Sequence, residues 1–111
     1  MKTIEWATGL FEGEGHISVR QGSANAKRYT LDINMTDEDV LVEFAKVIGS
    51  KVTGPYHPAS AKSHHLPFWR VTVGAKAEVR RVLELMVPHL GHRKAYKALN
   101  CLDDIDNIKL I

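Results

Sequence analysis

Apolar residues near the start of the chain recur at the spacing of an α-helix. At about 100° per residue they share one broad face: Ile4, Ala7, Leu10 and Phe11. The opposite face carries charged, polar and small residues: Glu5, Thr8, Gly9, Glu12 and Gly13. Thr3 is a suitable N-cap for this helix, and the pattern predicts a break at a bend over residues 13–15.

Two glycines four residues apart, Gly9 and Gly13, lie within this predicted helix. Each costs roughly 1 kcal/mol of helix stability relative to alanine. One interpretation is that the helix uses the bare backbone surface they leave, so that a second backbone can pack there. The alternative is a poor amphipathic helix that runs into a glycine-rich turn. The pattern alone leaves both open.

From residue 16 the apolar period changes to two, which is typical of half-buried strands. Strands are predicted over residues 16–20, 29–35, 51–57 and 68–73. Ile17 and Val19 are expected to point into the core. The connections between paired strands are predicted as loops over residues 21–28 and 59–65.

Three further helices are predicted over residues 37–48, 75–86 and 91–110. Thr36 is expected to cap the first of them and Gly49 to end it, while Pro88 separates the other two. The expected apolar side of the last helix is formed by Ala95, Ala98, Leu99, Leu102 and Ile105. The order is therefore helix, strand, strand, helix, strand, strand, helix, helix.

Two hairpins with one apolar and one polar face predict an α+β fold, in which helices cover one side of an antiparallel sheet. The polar side would remain open. Its outward candidates on the strands are Ser18, Arg20, Thr30, Asp32, Asn34, Lys51, Thr53, Arg70 and Thr72, with Lys27, Arg28 and Lys62 in the loops. Such residues hydrogen-bond phosphates and base edges in a DNA major groove, which admits a β-ribbon. An exposed sheet face is commonly polar without any ligand, so this interpretation stays open.

Length and composition agree with one domain over residues 1–111 that is large enough for a core of its own. No apolar run is long enough to span a membrane, and no signal peptide is recognisable, so we expect an intracellular protein that is not secreted and has no membrane partner. The single cysteine, Cys101, excludes an internal disulfide and is expected in the core.

The charge distribution is more informative than the net charge of +2. Residues 15–35 and 51–77 together hold 7 basic residues and 1 acidic residue, whereas the rest of the chain holds 8 basic and 12 acidic residues. This asymmetry suggests that a polyanion meets the two basic stretches. A solvated face without a partner is the alternative.

The segment ATGLFEGEG, residues 7–15, resembles the LAGLIDADG motif of homing endonucleases. Gly9, Leu10 and Gly15 are identical to the motif, and Glu12 and Glu14 stand where the family has acids, whereas the first two residues depart from it. The order of helices and strands is that of the single-motif members of the family. The segment PHLGHRK, residues 88–94, is similar to the one in which the family places a basic residue near its active site. The resemblance implies the LAGLIDADG fold, αββαββα(α), with a saddle-shaped antiparallel sheet.

The resemblance also implies a homodimer, because the family pairs two motif helices and this chain has one. The implied interface is the face with Glu5, Thr8, Gly9, Glu12 and Gly13. A dimer with two-fold symmetry calls for a duplex DNA target with two half-sites, which the family cuts in both strands.

For the chemistry, the resemblance implies Mg²⁺ or another divalent cation. Glu14 would be its ligand, with Gly13 as a second contact. Arg93, with Lys94 as the alternative, would stabilise developing phosphate charge, and Asn34 would position the active-site water. Glu14 stands where the family more often has aspartate, so it carries one extra methylene.

Rival interpretations remain at this point. A regulator or an intron maturase could keep the fold without cleaving, and RNA would be a partner only in the maturase case. A nonspecific polyanion-binding module would explain the basic sheet but not the two glycines or Glu14. Six histidines invite a zinc site, but only His64 and His65 are adjacent and no ligand spacing supports one.

Overall fold

The computed structural model describes residues 2–22, 27–58 and 66–107. Its elements are α1 (Ile4–Glu14), β1 (Gly15–Gln21), β2 (Lys27–Met35), α2 (Glu38–Ile48), β3 (Thr53–Tyr56), β4 (Phe68–Val73), α3 (Lys76–Met86), a short 3-10 helix (Val87–His89) and α4 (His92–Asn107). The predicted order of helices and strands is confirmed. The predicted loop over residues 59–65, including Lys62, His64 and His65, and the predicted last turn of the final helix lie outside the described residues.

The four strands form one antiparallel sheet in the order β1-β2-β4-β3. Residues directly opposite each other across antiparallel strands share a face, so the register divides the sheet into two rows. One row is buried beneath the helices and consists of Ile17, Tyr29, Leu31, Ile33, Val71 and Val73. The other row is polar and open, so the predicted α+β arrangement with helices on one face is confirmed. No helix in the described ranges has the length and apolar character required to cross a membrane.

The first helix is capped as predicted, because the Thr3 side chain accepts a hydrogen bond from the Trp6 N–H at 3.1 Å. Its buried face centres on Phe11, whose ring stacks on Phe44 with centroids 6.5 Å apart. The helix ends within the range predicted for the break, residues 13–15: it continues through Glu14, and Gly15 begins β1 directly. A Cβ at Gly15 would overlap the Phe11 ring, so this glycine allows close packing at the junction.

Three other predicted boundaries differ from the structure. The N-cap of α2 is Asp37 and not Thr36, and its side chain makes no capping hydrogen bond. β2 already begins at Lys27, whereas β3 is only Thr53–Tyr56. Pro55 within β3 has no N–H to donate, which limits regular pairing there. The predicted end of α2 is confirmed, since Gly49 adopts the left-handed conformation with φ 72°.

Two apolar residues predicted in the core are exposed. Val19 is 45% exposed although it shares the helix-covered side with Ile17, because β1 is an edge strand with no neighbour on its outer side in the described sheet. In α4 the buried stripe is Ala98, Cys101 and Ile105, so Leu99 lies on the outer side and is 50% exposed. The core position predicted for Cys101 is confirmed, and burial raises the pKa of its thiol.

Candidate nucleic-acid interface and active site

A concave groove of about 540 Å³ lies on the open face of the sheet. Six of the residues predicted to contact DNA line it: Ser18, Arg20, Thr30, Asp32, Asn34 and Arg70. Arg28 and Thr72 belong to the same open row, opposite Arg20 and Asp32. The alternation of polar residues along three strands therefore builds one continuous polar surface, which the register brings together from distant parts of the chain.

Hydrogen bonds between neighbouring strands order the side chains of this surface. The Thr72 hydroxyl donates to Asp32 Oδ1 at 2.8 Å, and Arg70 Nε donates to Asn34 Oδ1 at 2.8 Å. Both pairs join β2 to β4 across directly opposed positions. The central part of the groove is thus a preformed array of donors and acceptors.

The basic side chains of this open surface are not neutralised by acidic residues of the described ranges. Within the described ranges, Arg20, Arg28 and Arg70 form no ion pair with a carboxylate, whereas basic residues elsewhere do. Lys97 of α4, which was not predicted, also lines the groove, as does His16 of β1. A sequence signal for Lys97 exists, because it follows Arg93 at the i+4 spacing that places both on one side of a helix.

Three residues predicted to contact DNA, Lys27, Lys51 and Thr53, do not line the groove. Lys27 belongs to the helix-covered side of β2, where its ammonium lies 3.1 Å from the Asp104 carboxylate. This hydrogen bond raises the pKa of Lys27. Lys51 precedes β3, and Thr53 shares the open row opposite Arg70.

The end of α1 meets the groove at two pockets. Glu14 is exposed and lines a pocket of about 310 Å³ together with Asn34 and Asp37. Because Asn34 also lines the groove, the pocket that holds Glu14 adjoins the polar surface. Two of the predicted catalytic residues, distant in sequence, are thereby brought together.

The second pocket, of about 350 Å³, contains Gly13 and the basic residues Arg93, Lys94 and Lys97. Lys97 is shared with the groove, so this pocket adjoins it as well. The structure thus gathers every residue predicted for catalysis around the carboxyl end of α1. Glu14 comes from the motif helix and Asn34 from β2, the second strand of the first hairpin, whereas Arg93 and Lys94 come from α4.

The structure distinguishes the two candidate basic residues. The Lys94 ammonium donates to the Glu12 carbonyl oxygen at 2.9 Å and lies 5.5 Å from the centroid of the Phe11 ring. It therefore satisfies a carbonyl at the negative end of α1. Arg93 is exposed and has no such contact within the described ranges. Arg93 is the residue of this pair that is free to meet a ligand.

Glu12 also ties the motif helix to α4. Its Oε1 accepts a hydrogen bond from the Gly91 N–H at 2.5 Å, just before α4 begins. Together with the Lys94 contact, this fixes the start of α4 against the end of α1. The Glu12 carboxylate, which we predicted on the contact face for a second helix, is thus bonded within its own protomer.

The predicted contact face of α1 is only partly exposed. Gly9 and Gly13 are exposed, and a Cβ at either position would meet nothing within 4 Å. Glu5 is exposed next to them along the helix. Thr8 was predicted on this face but is fully buried, and its hydroxyl donates to the Ile4 carbonyl at 2.7 Å. This internal hydrogen bond allows a hydroxyl to face the core of the protomer.

Glu14 fits a hard divalent cation better than a structural metal. No three His, Cys, Asp or Glu side chains of the described ranges form a cluster that could hold a metal ion. Mg²⁺ needs no such cage, since it keeps several waters and takes one or two carboxylates plus phosphate oxygens. An exposed carboxylate with open space beside it provides that kind of ligand.

The architecture and this placement of the motif helix define the fold of the LAGLIDADG homing endonucleases, so the fold implied by the motif is confirmed. The homing endonuclease I-CvuI in complex with its target superposes with a TM-score of 0.74 at 19% identity, covering 93% of this chain and 65% of that chain. The LAGLIDADG homing endonuclease I-GzeII in complex with a DNA target superposes with a TM-score of 0.71 at 13% identity, and the match covers 96% of this chain and 36% of that chain. The homing endonuclease I-TnaI superposes with a TM-score of 0.68 at 17% identity, and the match covers 98% of this chain and 74% of that chain. No family model and no curated protein matches the chain by sequence.

Proposed function

We propose that the chain is a DNA endonuclease that acts as a homodimer and uses Mg²⁺ or a similar cation to cut both strands of a duplex with approximate two-fold symmetry. The observation that carries the proposal is the position of Glu14 at the end of the motif helix. Its pocket shares Asn34 with a groove lined by polar and basic side chains. A carboxylate beside a phosphate-binding surface is what metal-assisted phosphodiester hydrolysis requires.

The similar structures support this proposal at the level of fold. I-CvuI and I-GzeII are homing endonucleases whose structures contain their DNA targets. The chain spans 65% of the length of I-CvuI and 36% of the length of I-GzeII. The activity, the duplex substrate and the dimer are therefore proposed for this chain from its own residues.

The exposed glycines support a dimer. Gly9 and Gly13 leave a strip of bare backbone on α1, and in the part of the chain that the structure describes no atom comes within 4 Å of a Cβ at either position. A second copy of α1 can pack closely there, and a two-fold axis between the helices makes the interface self-complementary. The same axis would bring a second Glu14 beside the first, so that each strand of the duplex meets one acid.

Each residue around the end of α1 has a distinct part in the proposed reaction. Glu14, with Gly13 beside it, would hold the cation, which supplies an activated water and stabilises the leaving oxygen. Exposed Arg93 would stabilise the charge that develops on the phosphate. Since Asn34 Oδ1 already accepts from Arg70, the amide N–H groups of Asn34 are the part that can orient a water or a phosphate.

The proposal is tested by selection from a duplex library randomised over the target length, with Mg²⁺ present and cut ends sequenced. We expect the full chain to enrich a long target with dyad symmetry and to leave two cuts, one in each strand. Duplexes that are bound but never cut would contradict the nuclease and support a regulator or maturase. The absence of both binding and cutting would contradict the DNA-directed function altogether.

The groove predicts a steep dependence of binding on salt, because lysines and arginines that neutralise phosphates release counterions. Replacing Lys97 with glutamine should reduce the magnitude of the slope of log K against log salt by about one. Lys46→Gln is the matched control. Lys46 belongs to α2, which lies on the helix-covered side of the sheet, away from the groove, and its ammonium lies 3.6 Å from the Glu43 carboxylate. Binding titrations at several salt concentrations measure both slopes. A flat slope, or equal slopes for the Lys97 variant and the unmodified chain, would contradict the assignment.

A further inference from the structure

An aromatic pair interrupts the polar row of the sheet beside Arg70. Tyr56 and Phe68 face each other across β3 and β4, with ring centroids 5.6 Å apart and planes inclined by 34°. The Arg70 guanidinium carbon lies 5.1 Å from the Tyr56 centroid and 5.7 Å from the Phe68 centroid. A guanidinium near the faces of aromatic rings is attracted by their quadrupoles. The two rings therefore act on the same cation.

Hydrogen bonds also restrain the Arg70 guanidinium and the Tyr56 ring. Arg70 Nε donates to Asn34 Oδ1 at 2.8 Å. The Tyr56 hydroxyl donates to Thr53 Oγ1 at 2.8 Å, and the Thr53 hydroxyl lies 3.3 Å from the Arg70 carbonyl oxygen, to which it donates. The guanidinium is thus anchored to β2, and the Tyr56 hydroxyl is anchored to Thr53 of its own strand, which in turn bonds to β4. No carboxylate of the described ranges forms an ion pair with Arg70.

These contacts leave a defined set of donors. Because Nε is occupied by Asn34, the two terminal amino groups are the donors that Arg70 presents to the groove. They form a planar fork whose orientation is restricted before any ligand arrives, which lowers the entropy lost on binding. Guanine presents two acceptors, O6 and N7, side by side in the major groove, and an arginine fork matches them.

We propose that Arg70 reads a guanine in each half-site of the duplex and that Tyr56 and Phe68 are the positioning residues that orient it. The inference rests on the proposed function and adds the identity of one base to it. The position of Asn34 indicates where this base lies in the target, since Asn34 contacts Arg70 and also lines the pocket of Glu14. The guanine therefore lies in the inner part of each half-site, near the cut. A phosphate contact would need only the charge of Arg70 and would not depend on the orientation that the rings impose.

The test is a binding selection from the randomised duplex library with the full chain, in a chelator so that nothing is cut. The unmodified chain should prefer guanine at one position of each half-site, by about 5- to 150-fold over other bases. Arg70→Gln should remove this preference. Tyr56→Leu and Phe68→Leu should each weaken it by about two- to fivefold, through a lower affinity for the guanine-bearing duplex and an unchanged affinity for duplexes with another base there. Tyr56→Phe, which keeps the ring, should retain the preference.

Tyr96→Leu is the matched control for loss of an aromatic ring, because Tyr96 is 71% exposed on α4 and does not line the groove. It should leave every base preference unchanged. If duplexes are selected but no guanine position responds to Arg70→Gln, the inference is overturned while the proposed function stands. If Arg70→Gln removes the guanine preference but both leucine variants keep it as the unmodified chain does, the positioning role is overturned. If no duplex is selected at all, the proposed function fails and this inference fails with it.

Discussion

Replacement of Glu14 by glutamine is expected to abolish metal-dependent cleavage while DNA binding persists. The substitution keeps the size and the hydrogen-bonding shape of the side chain but removes the charge that a hard cation requires. A bound cation lowers the barrier to phosphodiester hydrolysis by several kcal/mol, so loss of its ligand should slow cleavage by roughly 10³-fold or more. Glu14 is exposed at the end of α1 and carries no core packing, so the fold should not change.

Single-turnover cleavage of the selected duplex over a range of Mg²⁺ concentrations measures this effect, with binding and melting temperature followed in parallel. Glu43→Gln provides a matched control, because Glu43 belongs to α2, lies 3.6 Å from Lys46 and lines neither pocket at the end of α1. The control should cleave as the unmodified chain does. Cleavage by the Glu14 variant at an unreduced rate would show that another group holds the cation.

Replacement of Gly13 by leucine is expected to separate the dimer into monomers. A Cβ at Gly13 meets no atom of the described protomer within 4 Å, and leucine favours a helix more than glycine by somewhat less than about 1 kcal/mol. The monomer should therefore be as stable as before. Between two motif helices the side chain would keep the backbones apart, and overpacking of this kind costs about 1–3 kcal/mol for each of the two copies.

Sedimentation or light scattering over a range of concentrations measures the dimer, and thermal melting reports on the protomer. Gly74→Leu is the control, since Gly74 also has free space around its Cα but lies between β4 and α3. It should leave the dimer unchanged. A Gly13 variant with the dimer mass of the unmodified chain would contradict pairing through this face, as would a monomeric unmodified chain at every concentration.

Local periodicity explains why so much of the architecture could be predicted. Alternation along β2 and β4 places Asp32, Asn34, Arg70 and Thr72 on one face whatever the neighbouring strands do. The helical spacing of Ala7 and Phe11 similarly indicates the buried side of α1. Such patterns depend on residues within one element, so they can be recognised before the elements are assembled.

The errors arise where a residue's environment depends on another element. Thr8 lies on the polar side of a helical plot, yet other elements cover that edge of α1 and bury it. Leu99 was assigned to the buried side of α4, but the residues in contact with the core are displaced from it around the helix. Lys27 belongs to a basic stretch, but the opposing Asp104 is supplied by α4, 77 residues away.

The candidate site shows the same division. The motif by itself indicated Glu14 as the acid and a basic segment near residue 93, because both are read from short stretches of sequence. It did not rank Arg93 above Lys94, since that difference comes from the contact of Lys94 with the Glu12 carbonyl. The spacing of Lys97 from Arg93 places both on one side of a helix but does not show that Lys97 reaches the groove, and nothing in the sequence indicates the rings beside Arg70.

The sequence alone therefore determined the order of the elements and the two faces of the sheet, because these follow from local spacing, and its resemblance to the motif singled out the acid at the end of the motif helix as a candidate. Only the tertiary structure decided which residues share a pocket. Asn34 shares a pocket with Glu14, the Tyr56 ring lies beside Arg70 and Lys97 lines the groove because strand register and helix packing join segments that are distant in the chain. Such contacts depend on the simultaneous packing of several elements, and no pattern within one element contains them.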